Sequence, residues 1–178
     1  MDAITDFVGF PSIPRLSREC IVTEKLDGTN AQIWFKEDDT VLIGSRNRWL
    51  TPEDDNFGFA RWVTSNLAAL KIELGYGQHF GEWWGKGINK RYNCDKRFSL
   101  FNTTRWADQP LKLCSVVPVL YRGIFDTGII DSALDGLRQT GSVACPGCMN
   151  PEGIVVFHVA ANQMFKKTLD KNDGHKGA

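Results

Sequence analysis

Two lysines and two glutamates stand in four short segments that could together handle a phosphate-bearing substrate. Lys25 opens the run KLDGTN, Glu82 closes FGE, Glu152 opens EGIVV and Lys166 lies in the run MFKKT. Lysine amines contact phosphates or act as nucleophiles, and carboxylates hold divalent metal ions. Each segment alone could be an ordinary turn, but the ordered set of all of them is much harder to explain in that way.

The ordered set resembles the covalent nucleotidyltransferase superfamily, which comprises ATP-dependent RNA ligases, DNA ligases and mRNA capping enzymes. Two runs are similar to the RNA-ligase-2-like branch found widely in phages, EKLDGTN at 24–30 and FGEWWGKGINKR at 80–91. The pair SR at 45–46 resembles the family's intermediate arginine motif, and FSLFN at 98–102 resembles its aromatic motif. The resemblance covers most of the chain and implies an antiparallel-sheet nucleotidyltransferase domain.

The resemblance implies which residues react. Lys25 would attack the α-phosphorus of ATP, expel pyrophosphate and carry AMP. An ammonium cannot attack, so neighbouring positive charge, a metal or desolvation must favour the neutral amine. Lys166 would supply positive potential to the α-phosphate, and Glu152 would hold a divalent metal, Mg²⁺ or Mn²⁺.

The resemblance also implies a set of nucleotide contacts. Glu82 would accept hydrogen bonds from the ribose hydroxyls, and Arg46 would contact the ribose or the phosphates with its planar fork. Phe101 would stack on the base. Glu24 would accept from the adenine amino group, and Asn30 would shape the loop or touch a phosphate. ATP is therefore the expected cofactor, and RNA strand ends are the expected partner, with DNA possible.

The sequence departs from the family pattern at two places. The aromatic motif usually ends in an acidic residue, but Asn102 stands here. The last motif usually has two lysines one residue apart, whereas Lys166 and Lys167 are adjacent and Thr168 occupies the second place. On a strand Lys166 and Thr168 share one face and Lys167 points to the other. We therefore predict that Lys166 acts alone, and the role of Lys167 stays open.

A basic segment follows the Glu82 motif. Residues 86–97 carry five lysines and arginines against one acid, Asp95, with aromatic residues nearby. This composition suits a groove for a nucleic-acid backbone and predicts RNA contacts from Lys86, Lys90 and Arg91. A solvated loop whose charges serve solubility is the alternative.

Composition excludes several classes of protein. The 21 basic residues equal the 21 acidic residues, so nucleic-acid binding has to come from a local patch. The five cysteines are an odd, scattered set that argues against a disulfide framework, and the CxxC at 145–148 has no second pair and is interpreted as a turn. No apolar run approaches the ~18 residues of a membrane span, and residues 1–10 lack the basic region of a signal peptide. We expect a cytoplasmic protein, in the host cytoplasm if it is phage-encoded.

Apolar patterning predicts the elements that position these groups. Runs rich in β-branched and aromatic residues predict strands at 20–25, 31–35, 41–45, 78–84, 98–101, 113–121, 153–158 and 163–168. Helical spacing predicts one helix from Phe59 to Leu74 and another around 129–137, begun near Asp126 or Thr127 and ended by Gly141. The Asp27–Gly28 dipeptide predicts a hairpin or tight connection between the first two strands. This alternation gives the α+β class.

The length of 178 residues fits one domain. DNA ligases and capping enzymes carry an OB-fold domain after the last motif, and too few residues follow Lys166 for one. We therefore expect residues 1–178 to form a single nucleotidyltransferase domain without a C-terminal OB domain. The implied function is an ATP-dependent RNA ligase that seals 5′-phosphate and 3′-hydroxyl ends through lysyl-AMP. The alternatives are a minimal DNA ligase, a capping-type enzyme, or an inert nucleotide- or RNA-binding module, which would have no need for a nucleophile.

Overall fold

The computed structural model describes residues 8–89 and 91–169. Strands and helices are mixed, which confirms the α+β class, and all strand pairs are antiparallel except β5–β6. No helix in the described ranges is long and apolar enough to cross a membrane. The elements are β1 (Glu19–Lys25), β2 (Thr29–Phe35), β3 (Val41–Ser45), α1 (Phe59–Ser65), α2 (Leu67–Leu74), β4 (Gly77–Trp84), β5 (Arg97–Leu100), β6 (Cys114–Val116), β7 (Val119–Ile124), α3 (Thr127–Thr140), β8 (Gly153–His158) and β9 (Gln163–Thr168).

The strands form two sheets. A four-stranded sheet has the order β7-β1-β8-β9, and a five-stranded sheet has the order β3-β2-β4-β5-β6. Of the two forms predicted for the link between β1 and β2, the structure has the tight connection and not the hairpin, because the turn at 26–28 carries the chain from one sheet to the other. Gly28 makes this turn possible, since a Cβ atom there would lie 2.4 Å from the backbone oxygen of Trp83.

The five-stranded sheet packs one face against α1 and α2 and forms the larger apolar core. Most of the helical face predicted over 59–74 is buried, with Phe59 and Val63 in α1 and Leu70 and Leu74 in α2, whereas Leu67, predicted for the same face, is exposed. The single predicted helix is nevertheless broken at Asn66. The Asn66 side chain donates to the carbonyl of Trp62 at 2.8 Å, and asparagine readily replaces helical hydrogen bonds with such local ones.

The four-stranded sheet packs one face against α3. Cys20 and Val22 of β1 and Ile154 and Val156 of β8 meet apolar residues of the helix. The helix has the predicted boundaries, because the Asp126 side chain accepts from the Gly128 N–H at 2.7 Å at its start and Gly141 ends it with φ 81°.

The strand predicted over 113–121 is in fact two strands in different sheets. β6 ends before Val117 and Pro118, and β7 then joins the other sheet. Proline has no N–H to donate to a ladder, which explains the interruption. The Pro118 carbonyl instead accepts from the Glu24 N–H at 2.9 Å. A small apolar cluster connects this crossing with the turn after β1, and it contains Leu26, Trp84, Tyr92, Val117, Cys145 and Cys148.

Candidate functional site

Lys25 and Glu152 form an ion pair where two strands end. Lys25 and Gly153 are the last Cα partners of the β1–β8 ladder, and Glu152 directly precedes β8. The Lys25 Nζ lies 2.5 Å from the Glu152 Oε2, with side-chain exposures of 23% and 18%. This Oε2 is buried and accepts no hydrogen bond of regular geometry from the described residues. Lys25 and Glu152 are therefore a paired amine and carboxylate, and the carboxylate still has lone pairs that could accept another ligand.

Glu82 lies on the facing sheet in a second polar cluster. Asn30 of β2 is the Cα partner of Glu82 in β4, and its amide nitrogen donates to the Glu82 Oε2 at 2.8 Å. Arg46, just after β3, donates from Nε to the Asn30 Oδ1 at 2.7 Å. The sheet register thus arranges three of the predicted nucleotide contacts in one chain of hydrogen bonds.

Electrostatics connect the two clusters. Burial raises the pKa of Glu82 to about 7, while the Asn30 hydrogen bond, the Lys25 charge and the Gly28 N–H oppose this shift. The Glu152 carboxylate adds to it as a like charge. Residues that are far apart in the sequence therefore act on one another in a single site.

The two adjacent lysines of β9 point to opposite faces, as predicted. Lys166 pairs with Val155, which pairs with Thr23, so Lys166 lies on the face that also carries Lys25. Lys167 lies on the other face, where its Nζ is 2.7 Å from the Asp131 Oδ1 on α3. The strand alternation therefore separates a lysine on the site face from one that pairs with a helix.

Glu24 faces away from this site. Its side chain is fully buried, and its carboxylate accepts hydrogen bonds from the Ser142 hydroxyl at 2.6 Å and the N–H groups of Val143 and Ala144 at 2.9 and 3.0 Å. Both carboxylate oxygens are committed to the segment before β8. The structure gives no support to the predicted adenine contact of Glu24, and β-strand alternation explains why, because Lys25 occupies the other face.

The CxxC at 145–148 lies within this segment. The Cys148 N–H donates to the Cys145 carbonyl at 3.0 Å, which confirms the predicted turn. The two Sγ atoms lie 2.7 Å apart, and the Cys148 Sγ is 3.3 Å from the Asn93 Oδ1. Within the described parts of the chain, no group of three or more His, Cys, Asp or Glu side chains could by itself hold a metal ion.

The basic segment does not form one open surface. Lys86 is exposed, as a contact with the phosphate backbone of RNA requires. Lys90 lies outside the described residues. The Arg91 side chain is only 15% exposed, and its Nε donates to the Asp27 Oδ2 at 2.9 Å. The guanidinium is thus turned inward onto protein acceptors, and the RNA contact predicted for Arg91 stays a prediction.

Phe101 is exposed directly after β5, whereas Phe98 of the same motif is fully buried. The Phe101 N–H donates to the carbonyl of Phe80 at 3.0 Å, and the Phe80 side chain is also exposed. Phe80 and Glu82 share a face of β4 because they are two residues apart. Sequence reasoning gave Phe80 no role, although its place two residues before Glu82 puts the two side chains on one face of a strand.

Asn89 was also missed. Its amide nitrogen donates to the Asp27 Oδ1 at 2.9 Å and to the Gly28 carbonyl at 3.2 Å. These contacts fix the turn that follows Lys25. Nothing in the local sequence indicates that a residue so distant in the chain holds this turn.

Comparison with known proteins agrees with this geometry. A family model described as RNA ligase matches residues 18–168. A lysine-to-alanine mutant of the Naegleria gruberi RNA ligase, solved with ATP and Mn, is similar with a TM-score of 0.57 and 17% identity over 85% of this chain and 50% of that chain. An archaeal ATP-dependent RNA ligase gives a TM-score of 0.56 and 19% identity over 91% of this chain and 48% of that one. A search of curated proteins gives no significant match. At these identities the solved structures establish a shared fold, and this chain spans about half of their length.

Proposed function

This chain belongs to the RNA ligase family, and from that membership we propose that it is the nucleotidyltransferase domain of an ATP-dependent RNA ligase. In this proposal it joins 5′-phosphate and 3′-hydroxyl ends through a covalent lysyl-AMP intermediate. The observation that carries the proposal is the contact of Lys25 with Glu152, 2.5 Å apart, with both charges acting on Glu82. The similar solved ligases with ATP or AMP and Mn support the choice of cofactor.

In the first step the Lys25 amine attacks the α-phosphorus of ATP. A nitrogen–phosphorus bond forms, the bond from the α-phosphorus to the bridging oxygen breaks, and pyrophosphate leaves with that oxygen. The ammonium must lose a proton before it can attack. Lys166, on the same face as Lys25, stabilises the charge that develops on the phosphoryl oxygens.

The facing sheet binds the nucleoside. The Glu82 carboxylate accepts from the ribose hydroxyls, and Arg46 contacts the ribose or the phosphates. Asn30 connects these two side chains by hydrogen bonds at 2.8 and 2.7 Å, so it sets their spacing. Phe101 offers an exposed ring to the base on the same sheet face.

Glu152 is the carboxylate that fits a metal role. Its Oε2 is buried without a regular hydrogen bond from the described residues, and Mg²⁺ commonly takes one or two carboxylates together with phosphate and water oxygens. Mg²⁺ or Mn²⁺ bound there would offset phosphate charge and compete with Lys25 for the carboxylate, which favours the neutral amine.

The later steps use the same groups on a strand end. AMP passes from Lys25 to the 5′-phosphate, and the 3′-hydroxyl then attacks that phosphate and displaces AMP. The exposed Lys86 provides a contact for the strand's backbone.

The proposal is tested with α-labelled ATP and Mg²⁺, followed by a denaturing gel. We expect a labelled protein band for the wild type and none for Lys25→Ala. The matched control is Lys71→Ala, which removes a lysine with an equally short ion pair, 2.5 Å to Asp39, and should leave labelling unchanged. Lys25→Ala should still seal a strand supplied with a 5′-adenylate, because that step needs no amine at this position.

Labelling of Lys25→Ala at the wild-type level would refute the assignment of the nucleophile. Labelling by GTP instead of ATP would favour a capping-type enzyme. Absence of labelling with every nucleotide and metal would favour the inert binding module. Sealing of DNA but not RNA would favour the DNA ligase.

A further inference from the structure

We propose that Arg91 is a positioning residue that holds Lys25 and Glu152 against each other. This role rests on the proposed function for its consequence in adenylylation, but its geometry is independent of it. The guanidinium connects the turn that follows Lys25 with the segment that precedes Glu152.

On one side Arg91 forms a hydrogen bond with the turn after β1. Its Nε donates to the Asp27 Oδ2 at 2.9 Å, and Asn89 donates to the other Asp27 oxygen at 2.9 Å. Asp27 stands two residues after Lys25. Both oxygens of the Asp27 carboxylate are therefore held by hydrogen bonds from one short segment of the chain, which contains Asn89 and Arg91.

On the other side Arg91 forms hydrogen bonds with the segment before β8. Its Nη1 lies 3.2 Å from the Asn150 Oδ1, 3.4 Å from the Asn150 carbonyl and 3.3 Å from the Pro151 carbonyl. Glu152 is the next residue along the chain. One planar cation thus spans both chain segments that leave the last ladder pair.

The need for such a link follows from the topology. The β1–β8 ladder ends at the pair Lys25–Gly153, and beyond that pair no strand register aligns the two segments. A side chain that is 15% exposed and bonded on two sides makes a stiff link. An arginine fork can bridge acceptors in two directions, whereas a lysine offers one point charge.

The test measures single-turnover adenylylation in Arg91→Ala and Arg91→Lys. We expect the rate constant at saturating ATP to fall about tenfold or more in both variants, with the KM for ATP changed less than about threefold. Arg138→Ala on α3, whose arginine pairs with Asp135, is the matched control and should keep the wild-type rate. Full activity of Arg91→Lys would overturn the proposal, because a charge alone would then suffice.

A double-mutant cycle locates the effect. Asp27→Ala should slow adenylylation by a similar factor, and the double variant with Arg91→Ala should be about as slow as either single variant. Rate losses that multiply would overturn the proposal, since the two side chains would then act independently.

A second measurement keeps the proposal testable without ligase activity. Acylation of Lys25 by an amine-reactive ester, followed by peptide mass spectrometry, should become about threefold faster or more in Arg91→Ala, because the pair with Glu152 is loosened. Acylation of Lys71 serves as the internal control, and thermal unfolding checks that the variants fold. Unchanged Lys25 acylation would overturn the positioning role. If ATP does not label the wild-type protein, only the proposed function is refuted, because the acylation measurement does not depend on it.

Discussion

The two sheets position their functional side chains in different ways. Asn30 and Glu82 are Cα partners inside the five-stranded sheet, so the ladder itself fixes their 2.8 Å hydrogen bond. Lys25 belongs to the last ladder pair of β1 and β8 in the four-stranded sheet, and Glu152 lies just outside that ladder. The side chains that would bind the nucleotide are thus held by regular backbone structure, and those that would react are held by side-chain links across loops. A single substitution should therefore disturb the geometry of the Lys25–Glu152 pair more than that of the Asn30–Glu82 pair.

The largest effect should come from removing the carboxylate of the reacting pair. Glu152→Ala should lower the adenylylation rate about 10³-fold, because Lys25 loses its partner and the proposed metal would lose its protein ligand. Labelling rates with α-labelled ATP over a range of Mg²⁺ concentrations measure this. The control is Glu37→Ala, an exposed glutamate just after β2. Near wild-type labelling at low Mg²⁺ would contradict the assignment of Glu152.

The pKa of Glu82 tests whether the two sheets share one electrostatic site. Its folded-state pKa of about 7 lies above the ordinary value of 4.5, so the native state binds more protons between these values. The contribution of this group to stability is therefore fully present below about pH 4.5 and is lost as pH rises to about 7, a total of about 3 kcal/mol. Glu82→Gln should gain about that much stability relative to wild type between about pH 5 and about pH 8, measured by chemical denaturation at both pH values.

The same group provides a sharper test by NMR. Because the Lys25 charge lowers the pKa of Glu82 and the Glu152 charge raises it, Lys25→Ala should raise this pKa and Glu152→Gln should lower it. Titration of the Glu82 carboxyl carbon reports both directions. A pKa that does not respond to either change would separate the two clusters into independent sites.

The adjacent lysines of β9 should differ strongly. Lys166→Ala should slow both adenylylation and sealing of a pre-adenylated strand about 100-fold, since in the proposed function its charge would face the phosphate. Lys167→Ala should change either rate less than about threefold, because an exposed pair with Asp131 contributes at most ~1 kcal/mol. Equal losses in the two variants would mean that strand alternation does not decide their roles.

The smallest effect concerns the buried side of β1. Ser142→Ala removes the hydroxyl that donates to the Glu24 Oε1 at 2.6 Å and leaves a buried carboxylate oxygen short of a donor. The free energy of unfolding should fall by about 1–3 kcal/mol, with adenylylation of the folded protein reduced much less. Urea denaturation of this variant beside Ser132→Ala, an exposed serine on α3, makes the comparison. An unchanged midpoint would show that the Glu24 contacts do not stabilise the fold.

The sequence predicts the elements well where the pattern is local. Apolar spacing identified α3 with its caps, and β-rich runs identified most strands. The break at Asn66 and the division at Pro118 were missed, because both depend on which sheet or core each half joins. Local propensity is a weak guide to such tertiary choices.

The site residues likewise divide into those that local motifs predict and those whose contacts depend on the fold. Motif order pointed to Lys25, Glu82 and Glu152, and the structure brings these residues together. The inward orientation of Arg91 was not predictable, because its acceptors Asp27 and Asn150 lie in two distant segments of the chain. A lysine- and arginine-rich segment has the same composition whether its charges face RNA or protein carboxylates. Charge composition therefore does not identify the protein partners of Arg91, which only the fold shows.

The position of β1 in the four-stranded sheet has a consequence for how the protein is made. The five-stranded sheet consists of strands contiguous along residues 29–116, so its pairings are available early during synthesis. β1 waits for partners at Val119–Ile124 and Gly153–His158, which emerge from the ribosome much later. Pairing at such sequence separation is slow because loop closure comes first. Of the described strands, β1 is thus made first but placed among the last, and a nascent chain carries Lys25 without its partner until Glu152 has been translated.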